Sequence, residues 1–165
     1  MKAVSNTTPL RYLIAIEQDH LLGKLFERVF IPSAVHEELT DARTPEIVRR
    51  LVMPTPVWLE VRTVKETQAT TFPLTLHRGE REAILLAEEL RPDMFLIDDQ
   101  IGRTIALSRN LPVSGTLGLL ERADRMGLLK NFPQVMQRLK ASGFFITDVL
   151  VQQLLQRHRN RQAGR

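Results

Sequence analysis

The sequence predicts an α/β fold with a mostly parallel central sheet flanked by helices, a Rossmann-type three-layer sandwich. Three observations carry this. Short apolar runs alternate with longer stretches whose apolar residues recur at helical spacing. Polar residues close several of the short runs just where a helix begins: Asn6 after Ala3–Ser5, and Asp98 and Asp99 after Phe95–Ile97. The chain has 165 residues, with no linker, internal repeat or low-complexity stretch. That length suits one domain able to bury a core without metal or disulfide.

Ala3–Ser5 reads as a strand with Val4 facing a core. Thr7 or Thr8 is the expected helix N-cap, with Pro9 in the first turn and Leu10, Leu13 and Ile14 on the apolar face. His20–Arg28 reads as a second short helix and Val29–Ile31 as a second strand. A helix opens at Pro32-Ser33 and runs to Thr40, carrying Glu37 and Glu38 in its first two turns. Acids there usually complement the helix dipole. Glu38, however, borders the apolar face of Val35 and Leu39.

Thr44–Leu51 is a capped helix stopped by Pro54 and Pro56, and Val57–Arg62 reads as an edge strand. Lys65–Phe72 is weakly helical. Leu76–Leu90 is the strongest helix. On it Glu80 shares a face with Ile84 and Ala87, an unusual and costly place for a lone acid. Glu82 lines up with Leu86 and Glu89 on a face expected to be more exposed, so Glu80 is the preferred functional acid.

Phe95–Ile97 is a short buried strand ending in Asp98 and Asp99, followed by the helix Ile101–Leu107. Leu111–Gly115 is a last short strand and turn. Thr116 then caps Leu117–Met126, and Gly127 ends that helix. Pro133–Ser142 and Thr147–His158 are further amphipathic helices, separated by Gly143–Ile146.

In a parallel sheet, strand C-termini and the helix starts beyond them converge on one edge. Asn6, Glu38, Glu80, Asp98 and Asp99 are therefore expected to share a cleft. Grouped carboxylates repel one another and favour a hard divalent cation, Mg²⁺ or Mn²⁺, with oxygen ligands. Such a centre suits phosphodiester hydrolysis. No glycine-rich phosphate loop, HExxH or GxSxG pattern competes. The four histidines lack ligand spacing, and the absence of cysteine excludes thiolate sites.

The net charge is +4, from 23 basic and 19 acidic residues. After Gln156 the chain carries four arginines and no acid; with these set aside the body holds 19 of each sign. Residues 157–165 are thus expected to be a disordered basic tail beyond a domain over 1–156. Arg157, Arg159 and Arg161, with Thr116, are the candidate nucleic-acid contacts. The chain opens on Lys2 and a strand-like run, and it has no apolar stretch of about 18 residues. No membrane span and a cytoplasmic location are expected.

Six stretches resemble one known family in order: Val4–Leu10, Ile31–Leu39, Gly79–Ile84, Leu96–Asp99 with Arg103 and Ala106, Gly115–Gly118, and Gly143–Ile146. Together the chain resembles a PIN-domain protein of the short prokaryotic, toxin-like branch related to VapC. The resemblance implies a metal-dependent ribonuclease with Mg²⁺ or Mn²⁺, RNA as substrate, a small cognate antitoxin as partner and a possible homodimer. By position Glu38 matches the early-helix acid and Glu80 the central-helix acid, with Glu82 reachable by a small shift. Asp99 matches the last acid when the family's Thr-x-Asp is laid on Ile97–Asp99, and Asp98 fits better in this branch. The first position, usually aspartate, is here Asn6, which keeps a carbonyl ligand but brings no charge. The alternatives are a catalytically weak PIN-like domain that binds nucleic acid or protein and, last, a phosphatase-like or nucleotide-binding domain.

Overall fold

The computed structural model describes residues 1–65 and 71–164. Five strands form one sheet in the order β3-β2-β1-β4-β5: β1 (Lys2–Ser5), β2 (Arg28–Pro32), β3 (Leu59–Arg62), β4 (Met94–Leu96) and β5 (Val113–Ser114). All four pairings are parallel, with Val4 opposite Phe30 on one side and Phe95 on the other. The expected mostly parallel sheet is thus parallel throughout, and Leu59–Arg62 does lie at an edge.

The pleat divides the core in two. Ala3, Val29, Ile31, Leu59 and Leu96 face one layer, which joins α1 (Thr7–Ala15), α2 (His20–Leu25), α3 (Ser33–Thr40), α4 (Glu46–Val52), α7 (Thr116–Arg125), α8 (Phe132–Ala141) and α9 (Asp148–Ala163). Val4, Phe30, Phe95 and Ile97 face the other layer, built on α5 (Arg78–Leu90) and α6 (Gln100–Ser108). Neighbouring residues on a strand therefore serve opposite cores, which gives three layers.

The strand order fixes the site. From β1 the chain moves outward through β2 to β3, then returns to β4 on the other side of β1 and continues to β5. The order reverses between β1 and β4, and a crevice opens at the C-terminal ends of strands at such a point. Asn6 follows β1, and its backbone N–H donates to Leu96 O at 3.0 Å, so the pairing with β4 persists to that edge.

Several elements differ from expectation. The second helix ends at Leu25, because residues from Arg28 onward pair with β1. Asn6, not Thr7 or Thr8, is the N-cap of α1, since its extended backbone still follows the sheet. Of the weak helix expected over Lys65–Phe72, residues 66–70 lie outside the described residues, and Lys65, Thr71 and Phe72 are not helical. Residues 157–163 are the last turns of α9, not a disordered tail. Arg157 and Arg161, one helical turn apart, both meet Glu121 on α7, and Arg161 also pairs with Asp124. His158 Nδ1 lies 2.9 Å from Asp124, and its ring stacks on Phe132 at 5.3 Å between centroids. These contacts supply the partners that the sequence alone did not show. Arg165 lies outside the described residues. Among the described residues no helix is long and apolar enough to cross a membrane.

Candidate active site

The crevice between β1 and β4 collects polar groups from four directions. Asn6 comes from the end of β1 and is 2% exposed, and its side-chain Oδ1 is buried without a hydrogen-bond partner. A buried acceptor left without a donor costs about 1–3 kcal/mol. That cost marks the position as one where a ligand would restore an interaction.

Glu38 is brought in from α3 and accepts a short hydrogen bond from Thr7 Oγ1 on α1. Its carboxylate lies against Gly79 at the start of α5. A Cβ at that position would sit 2.9 Å from Glu38 Cδ and closer still to Oε1, so the carboxylate occupies the space a side chain there would fill and would have to shift to admit one. Glu80 follows in the first turn of α5, where it accepts from the His77 backbone N–H at 2.9 Å. Burial pushes the Glu80 carboxyl up, the His77 N–H opposes this, and the charges of Asp99 and then Glu38 raise it further. Glu38, Glu80 and Asp99 thus come from three elements, and the first and last both act electrostatically on Glu80.

Asp99 is the N-cap of α6 and accepts from Gly102 N at 2.6 Å. Asp98 turns to the other side. It accepts from Thr116 N at 2.8 Å and Thr116 Oγ1 at 2.6 Å, and so caps α7 from a neighbouring loop. Burial pushes its carboxyl up, against the Thr116 hydrogen bonds and the nearby Arg103 charge. Gly115 permits the approach, because a Cβ there would lie 2.6 Å from Asp98 Oδ1. Of the adjacent pair, Asp99 therefore faces the other acids and Asp98 braces the β5–α7 turn.

Glu82 corrects the sequence reading. It is buried, not exposed. It accepts from Ala34 N at 3.1 Å, which ties the first turn of α3, and from Arg78 Nε at 2.7 Å. Arg78 also reaches Glu37 at 2.8 Å. Helical periodicity put Glu82 on a second face of α5, and α3 covers that face. Glu82 is committed to helix docking, whereas Glu80 lies near the charges of Asp99 and Glu38.

The expected nucleic-acid contacts are placed differently. Thr116 is fully buried, with its hydroxyl given to Asp98. Arg157 and Arg161 are engaged with α7, and Arg159 donates to Gln156 Oε1 at 2.7 Å.

The donor set fits a hard divalent cation in chemistry: three carboxylates, two of which add to the burial that raises the third, and an amide oxygen without a partner at one sheet edge. In this conformation each carboxylate is held by its own protein donor. Among the described residues no three acidic, histidine or cysteine side chains form a ready-made metal cluster.

Fold and edge together define a parallel α/β domain with an acidic crevice at its topological switch point. Residues 2–160 match the family model described as DUF3368, PIN domain, and the chain belongs to the PIN-domain family. PIN domains are generally a nuclease fold and typically use divalent metals. The structure is also similar to a PilT N-terminus domain protein, SSO1118, from the hyperthermophilic archaeon Sulfolobus solfataricus P2. The TM-score is 0.55 at 18% identity, over 74% of this chain and 93% of that one, a likeness of fold. Among curated proteins none matches the chain.

Proposed function

We propose that this chain is a Mg²⁺- or Mn²⁺-dependent endoribonuclease, the toxin of a toxin–antitoxin pair acting in the cytoplasm. The observation that supports the nuclease reading is the Glu80 carboxyl, raised by burial and by the nearby charges of Asp99 and Glu38, at the sheet edge where Asn6 Oδ1 is buried without a partner. The toxin role and the small antitoxin partner rest on the resemblance to the VapC-related branch.

Asn6, Glu38, Glu80 and Asp99 would hold the ion. When bound, it supplies a Lewis acid for the phosphate and a water of lowered pKa. Without the ion, burial and its like-charged neighbours raise the affinity of Glu80 for a proton, which a bound cation would displace. The Thr7 hydroxyl fixes the Glu38 carboxylate, and Gly79 leaves it room. Asp98 serves the site at one remove, by holding the β5–α7 turn through Thr116.

A second reading, a catalytically weak PIN domain that binds RNA or protein, is favoured by one observation: Asn6 brings no charge to the position where the family usually has aspartate. Incubation of purified protein with a panel of structured and single-stranded RNAs, with Mn²⁺ or with chelator, separates the two. The nuclease reading predicts metal-dependent cleavage that Glu38→Gln abolishes. RNA binding without cleavage at any metal concentration selects the weak-domain reading.

A further inference from the structure

At the opposite edge of the sheet from the acids, a groove runs between α2, the loop after α7 and the start of α8. Its lining includes Lys24, Lys130 and Arg138 with His20, joined by Asn131 and Gln134. No carboxylate lines it among the described residues. Arg138 reaches one acid, Glu17 on the rim, at 3.4 Å, and that glutamate is 70% exposed. Asp19 caps the start of α2 just outside the lining. Lys24 and Lys130 make no ion pair among the described residues.

The basic end of α9 is held by Glu121 and Asp124, whereas Lys24 and Lys130 meet no acid among the described residues. Lys24 and Lys130 therefore bring positive charge that no ion pair offsets, Arg138 being shared with Glu17, and the α8 N-terminus adds its partial charge. Amides beside cations suit phosphate oxygens and ribose hydroxyls.

We propose that this groove is a second RNA site, which grips the phosphodiester backbone several nucleotides from the acidic crevice. The proposal rests on the ribonuclease reading for its choice of polyanion. Strands of four or five residues separate the two edges by about 15 Å. A stacked nucleotide spans roughly 3.4 Å of strand, so a dinucleotide at the acids falls short of the groove and a longer RNA reaches it.

The test is binding of a 20-nucleotide single-stranded RNA and of a dinucleotide in chelator, over a range of salt, by the full chain and by the triple variant Lys24→Gln, Lys130→Gln, Arg138→Gln. Inorganic phosphate and polyglutamate serve as competitors. Three lost phosphate contacts should reduce the salt slope for the long RNA by about 2, a loss of roughly a hundredfold in affinity at 0.1 M salt relative to 1 M. The dinucleotide, which the metal-free acids repel and the groove meets through few phosphates, should bind too weakly to measure in either protein. An unchanged slope in a variant that melts like the wild type overturns the proposal. So does equal displacement by inorganic phosphate, which marks a free-anion site, or preferential capture of polyglutamate, which marks a protein-binding face. Because binding is read without metal, a protein that never cleaves RNA refutes the nuclease reading and leaves this result standing on its own.

Discussion

At the scale of single residues, two acids two positions apart on α5 have opposite work. Glu82 holds the buried Ala34 N–H and Arg78, so Glu82→Ala leaves that N–H without an acceptor and should cost about 1–3 kcal/mol. Thermal melting checks this; no loss would mean that α3 docks without it. Glu80 and Asp98 behave differently. Their folded pKa values are raised above the ordinary 4.5 and 3.8 by burial first. Their contribution favours the fold below the ordinary carboxylate range and is lost as pH rises through the raised values. Metal-free stability should therefore fall across that window. Glu80→Gln, which can still accept from His77 N–H, should flatten the fall and raise the melting temperature at neutral pH. Asp41, exposed and lowered to about 2 by Arg43, acts in the opposite sense and at lower pH, which keeps the windows apart. Gly79→Ala gives a third outcome. Alanine suits a helix better by up to about 1 kcal/mol, but its Cβ would displace the Glu38 carboxylate. Stability should hold or rise, while the stabilisation by Mn²⁺ and RNA cleavage are lost; an unchanged metal response would remove Glu38 from the site.

At the scale of elements, α9 shows what the sequence carried and what it did not. Its helical start at Thr147 was legible from periodicity and a capping residue. Its end was not, because Arg157, His158 and Arg161 are ordered by Glu121 and Asp124 on another helix, a tertiary partnership that no local pattern encodes. The same reason hid the burial of Glu82. By contrast, the β1, β2 and β4 strands and the polar residues that end them were readable, since short apolar runs between helices leave few other arrangements. Truncation after Gln156 should leave the Asp124 carboxylate buried and unpaired, which costs about 3–5 kcal/mol. The melting temperature should drop clearly. A truncated chain as stable as the whole would return residues 157–165 to the role of a loose tail.

At the scale of the molecule, the strand order places the reversal between β1 and β4, where Asn6 and Asp99 follow their strands, while Lys24 and Lys130 line a groove at the far edge. The central claim is that this acidic crevice holds one divalent ion through Asn6, Glu38, Glu80 and Asp99. Calorimetric titration of Mn²⁺ into the wild type, Asn6→Asp and Glu38→Gln tests it most directly. Affinity should follow ligand charge. The wild type should bind one ion, Asn6→Asp should bind it more tightly and be less stable without it, and Glu38→Gln should lose it. No heat from the wild type, or equal affinities in all three proteins, would contradict the account.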